Sequence, residues 1–302
     1  MLKIDMHLNP TKCAICDTTD NYTVLYPATF TESDFNVDIF SARRIPDKIH
    51  YQIVRCNTCG LVRSNPTYDS DRLYDIYKVS KFTYESEVEN LTSTYLDAVD
   101  RVMKKLPKDA KILEIGCGNG FILKALFDLG FHDVHGIEPS SHAISKAHES
   151  IRSTIKESIF RAGLYGPQSF DFIFLFQTFD HLPDPNAFLK ACKDLLKPNG
   201  YLLSFNHDVE SPSSKLLRDK SPIIDIEHTY LYSPTTISNI FAKHRYGNIH
   251  VFSPKNIVSF KHLIWLLPIP KRLKERLINL KSKLIEYRIK IALGNLCIIA
   301  QK

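Results

Sequence analysis

Apolar residues recur along this chain in two rhythms. Short apolar runs at 111–115, 133–137, 158–161, 170–176, 200–206, 247–253 and 292–300 predict seven strands. The run Phe170-Asp171-Phe172-Ile173-Phe174-Leu175-Phe176 is almost wholly apolar, as a strand covered on both faces must be. Between residues 91 and 106 the spacing changes. Leu91, Tyr95, Leu96, Val99, Val102, Met103 and Leu106 recur at helical intervals, and Pro107 ends the helix. A shorter helical pattern covers 71–77. Ahead of these, 51–55 and 61–63 read as the strands of a hairpin closed by Pro66. Strands alternating with helices predict an α/β fold with a mainly parallel sheet.

The most informative junction is Lys111-Ile112-Leu113-Glu114-Ile115-Gly116-Cys117-Gly118-Asn119-Gly120. A strand runs into an acidic residue and then into glycines at alternate positions. Phe121-Ile122-Leu123-Lys124-Ala125-Leu126-Phe127 follows as a helix. Glycines there let the backbone turn sharply and lie against a ligand without a Cβ in the way. Strand, glycine loop and helix together make a nucleotide-cofactor turn. The next strand ends in Glu138, twenty residues past Gly118. A carboxylate at that point can accept the hydroxyls of a ribose. The spacing is G-x-G-x-G, not the G-x-G-x-x-G of dinucleotide binders.

With its later segments His181-Leu182-Pro183-Asp184-Pro185 and Leu195-Leu196-Lys197-Pro198-Asn199-Gly200-Tyr201, the chain resembles the class I S-adenosylmethionine (SAM) methyltransferases over roughly residues 106–302. The resemblance implies a Rossmann-like seven-stranded sheet with its last strand antiparallel. It also implies SAM held by Glu114, Gly116, Gly118, Gly120 and Glu138, with Gln177 beside it. Tyr84, just ahead of the domain, would close over the methionine end of SAM or pack as a helix aromatic. Relatives often bind the adenine through an acidic residue after the third strand. Here Arg161-Ala162-Gly163-Leu164-Tyr165 stands there instead.

Seven cysteines in a chain with no apolar leader argue for a reducing, cytoplasmic setting, not for a disulfide framework. Four are paired as Cys13-x-x-Cys16 and Cys56-x-x-Cys59, thirty-nine residues apart. That spacing can present four thiolates to a tetrahedral Zn²⁺. Residues 1–66 thus form an expected zinc-binding module, 67–105 a helical linker or cap, and 106–302 the methyltransferase domain.

A four-cysteine module with Arg55-Cys56-Asn57-Thr58-Cys59-Gly60 ahead of such a domain resembles the sugar and surface-glycan methyltransferases. Their nucleotide-sugar C-methyltransferases share a Glu-His pair matching Glu227-His228. A tyrosine of theirs is replaced here by Asp225, and their added carboxy-terminal domain is not matched. The resemblance therefore implies O-methylation of a sugar or glycan, with C-methylation of a keto sugar as the alternative. His228 is the leading general base, oriented by Asp225 or Glu227, with His207 next in line.

Charge sets the partners. Residues 254–290 carry ten lysines and arginines against Glu275 and Glu286, a net +8 within a chain of net +6. This insertion, with Trp265 in its apolar part, reads as a solvated helix face, a peripheral membrane contact, or a dimer interface. The cysteine module balances seven cations with seven anions. Nucleic-acid binders need a basic footprint, so RNA is excluded as the expected partner. An intact cofactor loop argues against a non-enzymatic adaptor.

Overall fold

The computed structural model describes residues 8–31, 48–68, 88–260, 264, 270–278 and 287–302. Five short strands come first: β1 (Leu8–Asn9), β2 (Tyr22–Tyr26), β3 (Ile53–Cys56), β4 (Val62–Ser64) and β5 (Thr67–Tyr68). β3 and β4 form the expected hairpin, with Ile53 opposite Ser64 and Arg55 opposite Val62. β2 joins its other side, and β1 pairs with β5. Helix α1 (Val88–Met103) buries Leu91, Tyr95, Val99 and Val102 along one stripe, as the helical spacing requires. The 71–77 pattern and Tyr84 lie outside the described residues.

The remaining elements follow as β6 (Ile112–Ile115), α2 (Phe121–Asp128), β7 (Val134–Glu138), β8 (Ile155–Glu157), β9 (Phe170–Phe176), α3 (Pro185–Leu195), β10 (Leu196–His207), α4 (Pro212–Leu217), β11 (Tyr230–Leu231), α5 (Pro234–Lys243), β12 (Gly247–Phe252), β13 (Asn256–Ser259), α6 (Lys271–Ile278), β14 (Arg288–Ile291) and β15 (Asn295–Gln301). Seven strands make one sheet in the order β12-β15-β10-β9-β6-β7-β8. β15 is antiparallel to both its neighbours, and the other central pairs are parallel. This is the Rossmann-like methyltransferase sheet expected from the sequence. Strand order reverses between β6 and β9, so a crevice opens beyond their carboxyl ends.

Helices cover both faces. Phe172, Phe174 and Phe176 pack with α1 and α2, while Ile173 and Leu175 share a core with α3 and α5. That second core also takes in Cys13, Ala14, Cys56 and Leu61. The cysteine-bearing segments therefore pack directly against the sheet. β11 pairs antiparallel with β4 and completes their own sheet as a fourth strand.

One strand lies elsewhere than expected. The apolar pair Ile159-Phe160 drew the third strand to 158–161, whereas β8 occupies 155–157 and buries Ile155 against β7. Ile159 is exposed. An edge strand of three residues gives too short an apolar pattern to fix its place.

Within the basic insertion β13 and β14 form a hairpin that lies on α1. Arg288 makes a two-pronged ion pair with Glu89 at 2.8 and 2.7 Å, and Lys290 pairs with Asp97. Part of the positive charge is thus matched by acids of α1. Trp265 and its apolar neighbours lie outside the described residues. Among the described residues no helix is long and apolar enough to cross a membrane.

Gly136 of β7 is held by packing. A Cβ there would stand 2.6 Å from Cys117 Sγ and 2.9 Å from Leu123 Cδ1. Gly136→Ala should lower stability by about 1–3 kcal/mol, the usual cost of overpacking. Gly247→Ala, with no atom within 4 Å of the new Cβ, should stay within about 0.5 kcal/mol of the parent. Urea unfolding of the two variants checks this, and equal midpoints would remove the packing argument.

Candidate active site

β6 and β7 end side by side and deliver two carboxylates to the crevice. The chain leaves β6 through Gly116, Gly118 and Gly120, whose φ angles are 74°, 55° and 69°. These are left-handed values that favour glycine. At Gly116 a Cβ would also collide with Thr178 Oγ1 at 2.6 Å. Glu138, at the end of β7, accepts the backbone N–H of Gly118 on Oε2 and that of Ser140 on Oε1, both at 2.9 Å. The glycine loop and the second strand are thereby locked together. Each carboxylate oxygen keeps a further lone pair for a ligand hydroxyl.

Glu114 is buried, and its Oε2 has no hydrogen-bond partner among the described residues. Burial, and then the charge of Glu138, push its carboxyl well above the usual range. Burial also raises Glu138, against the two N–H bonds that favour its charge. Two such carboxylates suit a cationic ligand with ribose hydroxyls, which is the chemistry of SAM. Asn119 Oδ1 is a second buried acceptor without a partner here. Gln177, where β9 ends, adopts φ 47° and donates its N–H to Phe205 O at 2.7 Å. The Cys117 thiol is pushed up by burial and by both glutamates, so it is no nucleophile.

A second cluster gathers around Asp180. This residue sits in the single helical turn Phe179–His181 after β9 and is 1% exposed. His207, the last residue of β10, places Nδ1 at 3.0 Å from Asp180 Oδ2. His228 Nε2 lies 3.6 Å from the same oxygen, and His181 Nε2 lies 3.9 Å from Oδ1. Burial alone would raise Asp180, but His228, His207 and His181 together hold it well below the carboxylate range. Asp180 is therefore ionised, and burial holds the imidazole of His181 down at about 4.

The hydrogen bonds assign the nitrogens. His228 Nδ1 lies 2.8 Å from Ile223 O, and a carbonyl only accepts, so Nδ1 carries the proton. Its other nitrogen faces Asp180. His207 donates Nδ1–H to the Asp180 carboxylate, which leaves Nε2 as its other nitrogen. The His207 side chain is 21% exposed and that of His228 8%. Asp225 Oδ1 accepts the N–H of Glu227 at 3.0 Å, and the carboxylate facing His228 is Asp180. In the sequence Asp180 was one polar residue after β9 among several, because its histidines come from three separate segments.

The loop carrying His228 is clamped from the amino-terminal side. Ser64 Oγ donates to His228 O at 2.7 Å, and Ser64 N donates to Thr229 O at 2.9 Å. Thr229 N in turn donates to Asp180 O at 2.9 Å, and Tyr230 Oη donates to Lys12 O at 2.9 Å. Beside these bonds Cys13, Cys16, Cys56 and Cys59 bring their sulfurs within 4.8 Å of one another. A tetrahedral ion with metal–sulfur bonds of about 2.3 Å needs sulfurs about 3.8 Å apart, so the four thiols fit one. Burial pushes the Cys56 thiol up, yet backbone N–H groups of Cys59 and Thr58 bring it down to about 6. A thiol so placed readily becomes the thiolate a metal takes.

Comparison with known proteins gives concordant findings. The family model described as a methyltransferase domain matches residues 87–251. The ubiquinone biosynthesis O-methyltransferase of Paraburkholderia phymatum is 35% identical over 109 residues, 33% of this chain and 47% of that protein. The protein of the same name from Neisseria meningitidis is 26% identical over 49% of this chain and 61% of its own length. The chain thus spans about half the length of the curated relatives it matches. A SAM-dependent methyltransferase from Thermotoga maritima, a possible histamine N-methyltransferase, has a fold similar to this one. Its TM-score is 0.50, at 20% identity over 72% of this chain and 94% of that one.

These relatives overturn the expected acceptor. The sugar or surface-glycan reading, with its keto-sugar alternative, rested on the cysteine module and the Glu227-His228 pair. Those features fix how the loop after β10 is held, not what it methylates, and the relatives are named for ubiquinone biosynthesis.

Glu138→Ala should weaken SAM binding by about ten- to hundred-fold, the range for losing hydrogen bonds to a charged group. Isothermal titration measures it. Native affinity in a folded variant would place the ribose elsewhere.

Proposed function

Because the chain belongs to the methyltransferase domain family and is a SAM-dependent methyltransferase, we propose that it O-methylates a small-molecule hydroxyl, in the manner of a quinone-pathway enzyme. The names of its relatives support the acceptor class, and the ring hydroxyl of a quinone precursor is the chemistry they suggest. The observation that carries the mechanism is the 3.0 Å bond from His207 to the buried Asp180.

SAM, when bound, supplies an electrophilic methyl group on a sulfonium. The residues of this chain do the rest. Gly116, Gly118 and Gly120 let the backbone approach the cofactor, and Glu138 receives its ribose. His207 Nε2 takes the proton of the acceptor hydroxyl as the oxygen becomes the nucleophile. Asp180 fixes the ring through Nδ1 and offsets the positive charge that then develops on it. His228 is a positioning residue, held between Ile223 O and Asp180.

The four cysteines hold a structural zinc in this reading. Four thiolates leave no open coordination position for chemistry.

His207→Ala should lower kcat by about 10²–10⁴-fold, the typical contribution of a positioned base, while SAM affinity stays native. Asp180→Asn should lower kcat as well, because an amide can no longer hold the ring in its tautomer. Turnover on hydroxylated aromatic acceptors, beside SAM titration, tests both. Near-native turnover in His207→Ala would move the base to another residue.

The metal has its own test. Purified protein from zinc-supplemented medium should contain about one zinc per chain by elemental analysis. Cys56→Ser should lose it and melt at a lower temperature. Zinc-replete protein with no bound metal would sink the assignment.

A further inference from the structure

Beside the histidine cluster lies a cleft of about 340 Å³ between the cysteine-bearing sheet and α4. Its rim carries Arg55, Lys215 and Arg218 against a single acid, Glu210. The three cations come from separate places. Arg55 is the outward residue of β3, Lys215 lies on α4, and Arg218 follows that helix. Arg218 has φ 55°, an unusual backbone for a side chain of its size. Further on, Ile223 lines the cleft and packs in one cluster with Val62 of β4. The floor is therefore apolar and the rim cationic.

That pairing defines a ligand class. The cleft presents more polar than apolar surface, and Val62, Ile223 and Ile224 supply the apolar part. Guanidinium groups match the oxygens of carboxylates and phosphates by paired hydrogen bonds. No part of the proposed methyl transfer uses these cations. Ile223 joins the cleft to the active site, since its carbonyl oxygen holds His228 Nδ1 at 2.8 Å.

We propose that this cleft binds an amphipathic organic anion, its carboxylate or phosphate held by Arg55, Lys215 and Arg218 and its apolar part by the floor. Placing this anion on the acceptor side of the enzyme rests on the proposed function, whereas its binding does not. The site would select acceptors that bear an acid group as well as the hydroxyl to be methylated.

Benzoate, phenyl phosphate and neutral benzyl alcohol are suitable probes, titrated into SAM-loaded protein and followed by NMR. At least one anion should bind more tightly than the alcohol, and the preferred one names the acid group. The R55A/R218A variant should lose about ten-fold in that affinity, with SAM binding unchanged as the control on its fold. Raised salt should erode the preference in the native protein, because the cations are exposed. If the double variant fails to hold SAM, Lys215→Ala on the exposed face of α4 serves in its place. Equal binding of all three probes, or an anion preference that survives the substitutions, would overturn the proposal. Neither outcome depends on turnover, so a failure of the His207 mechanism is read separately.

Discussion

A single buried negative charge organises this molecule. Asp180 is almost wholly removed from water, and an isolated carboxylate there would be too costly to keep ionised. It stays charged because His207, His228 and His181 surround it. Those histidines arrive from the end of β10, from the loop before β11 and from the neighbouring residue. Satisfying one charge therefore draws the ends of two strands and a distant loop to one point. The removal of one imidazole would leave the carboxylate partly unpaid, which is why the cluster behaves as a unit.

The fold was largely legible in the sequence because parallel strands covered on both faces must be apolar throughout. The 170–176 run coincides with β9 to the residue, and the glycine loop announced the cofactor side. Local signals ended there. β8 was displaced by the exposed Ile159, since three residues at a sheet edge leave little pattern. Sequence proximity offers Asp225 and Glu227 as partners of His228, while Asp180 reaches it from a distant segment at 3.6 Å. Asp180 lies forty-eight residues ahead of His228, which it faces. No periodicity records a contact of that kind.

The cofactor loop and the cleft beside α4 carry different electrostatics. Glu114 and Glu138 crowd negative charge where a sulfonium cofactor belongs, and their carboxyl groups are raised in its absence from the protein's own atoms. In the cleft between the cysteine-bearing sheet and α4, Arg55, Lys215 and Arg218 stand against the single acid Glu210.

The two-residue strand β11 has a consequence for how the chain comes into being. Ser64 bonds to His228 across 164 residues, and β4 takes Tyr230–Leu231 as its outer neighbour. During synthesis the cysteine hairpin emerges early, yet its sheet stays open on one edge until about three-quarters of the chain has left the ribosome. Contacts so distant in sequence slow folding, and an unpaired edge is exposed to wrong partners meanwhile. An early hold on the hairpin by its own cysteines would shelter that edge, making the amino-terminal segment a waiting template onto which the loop carrying His228 is finally laid.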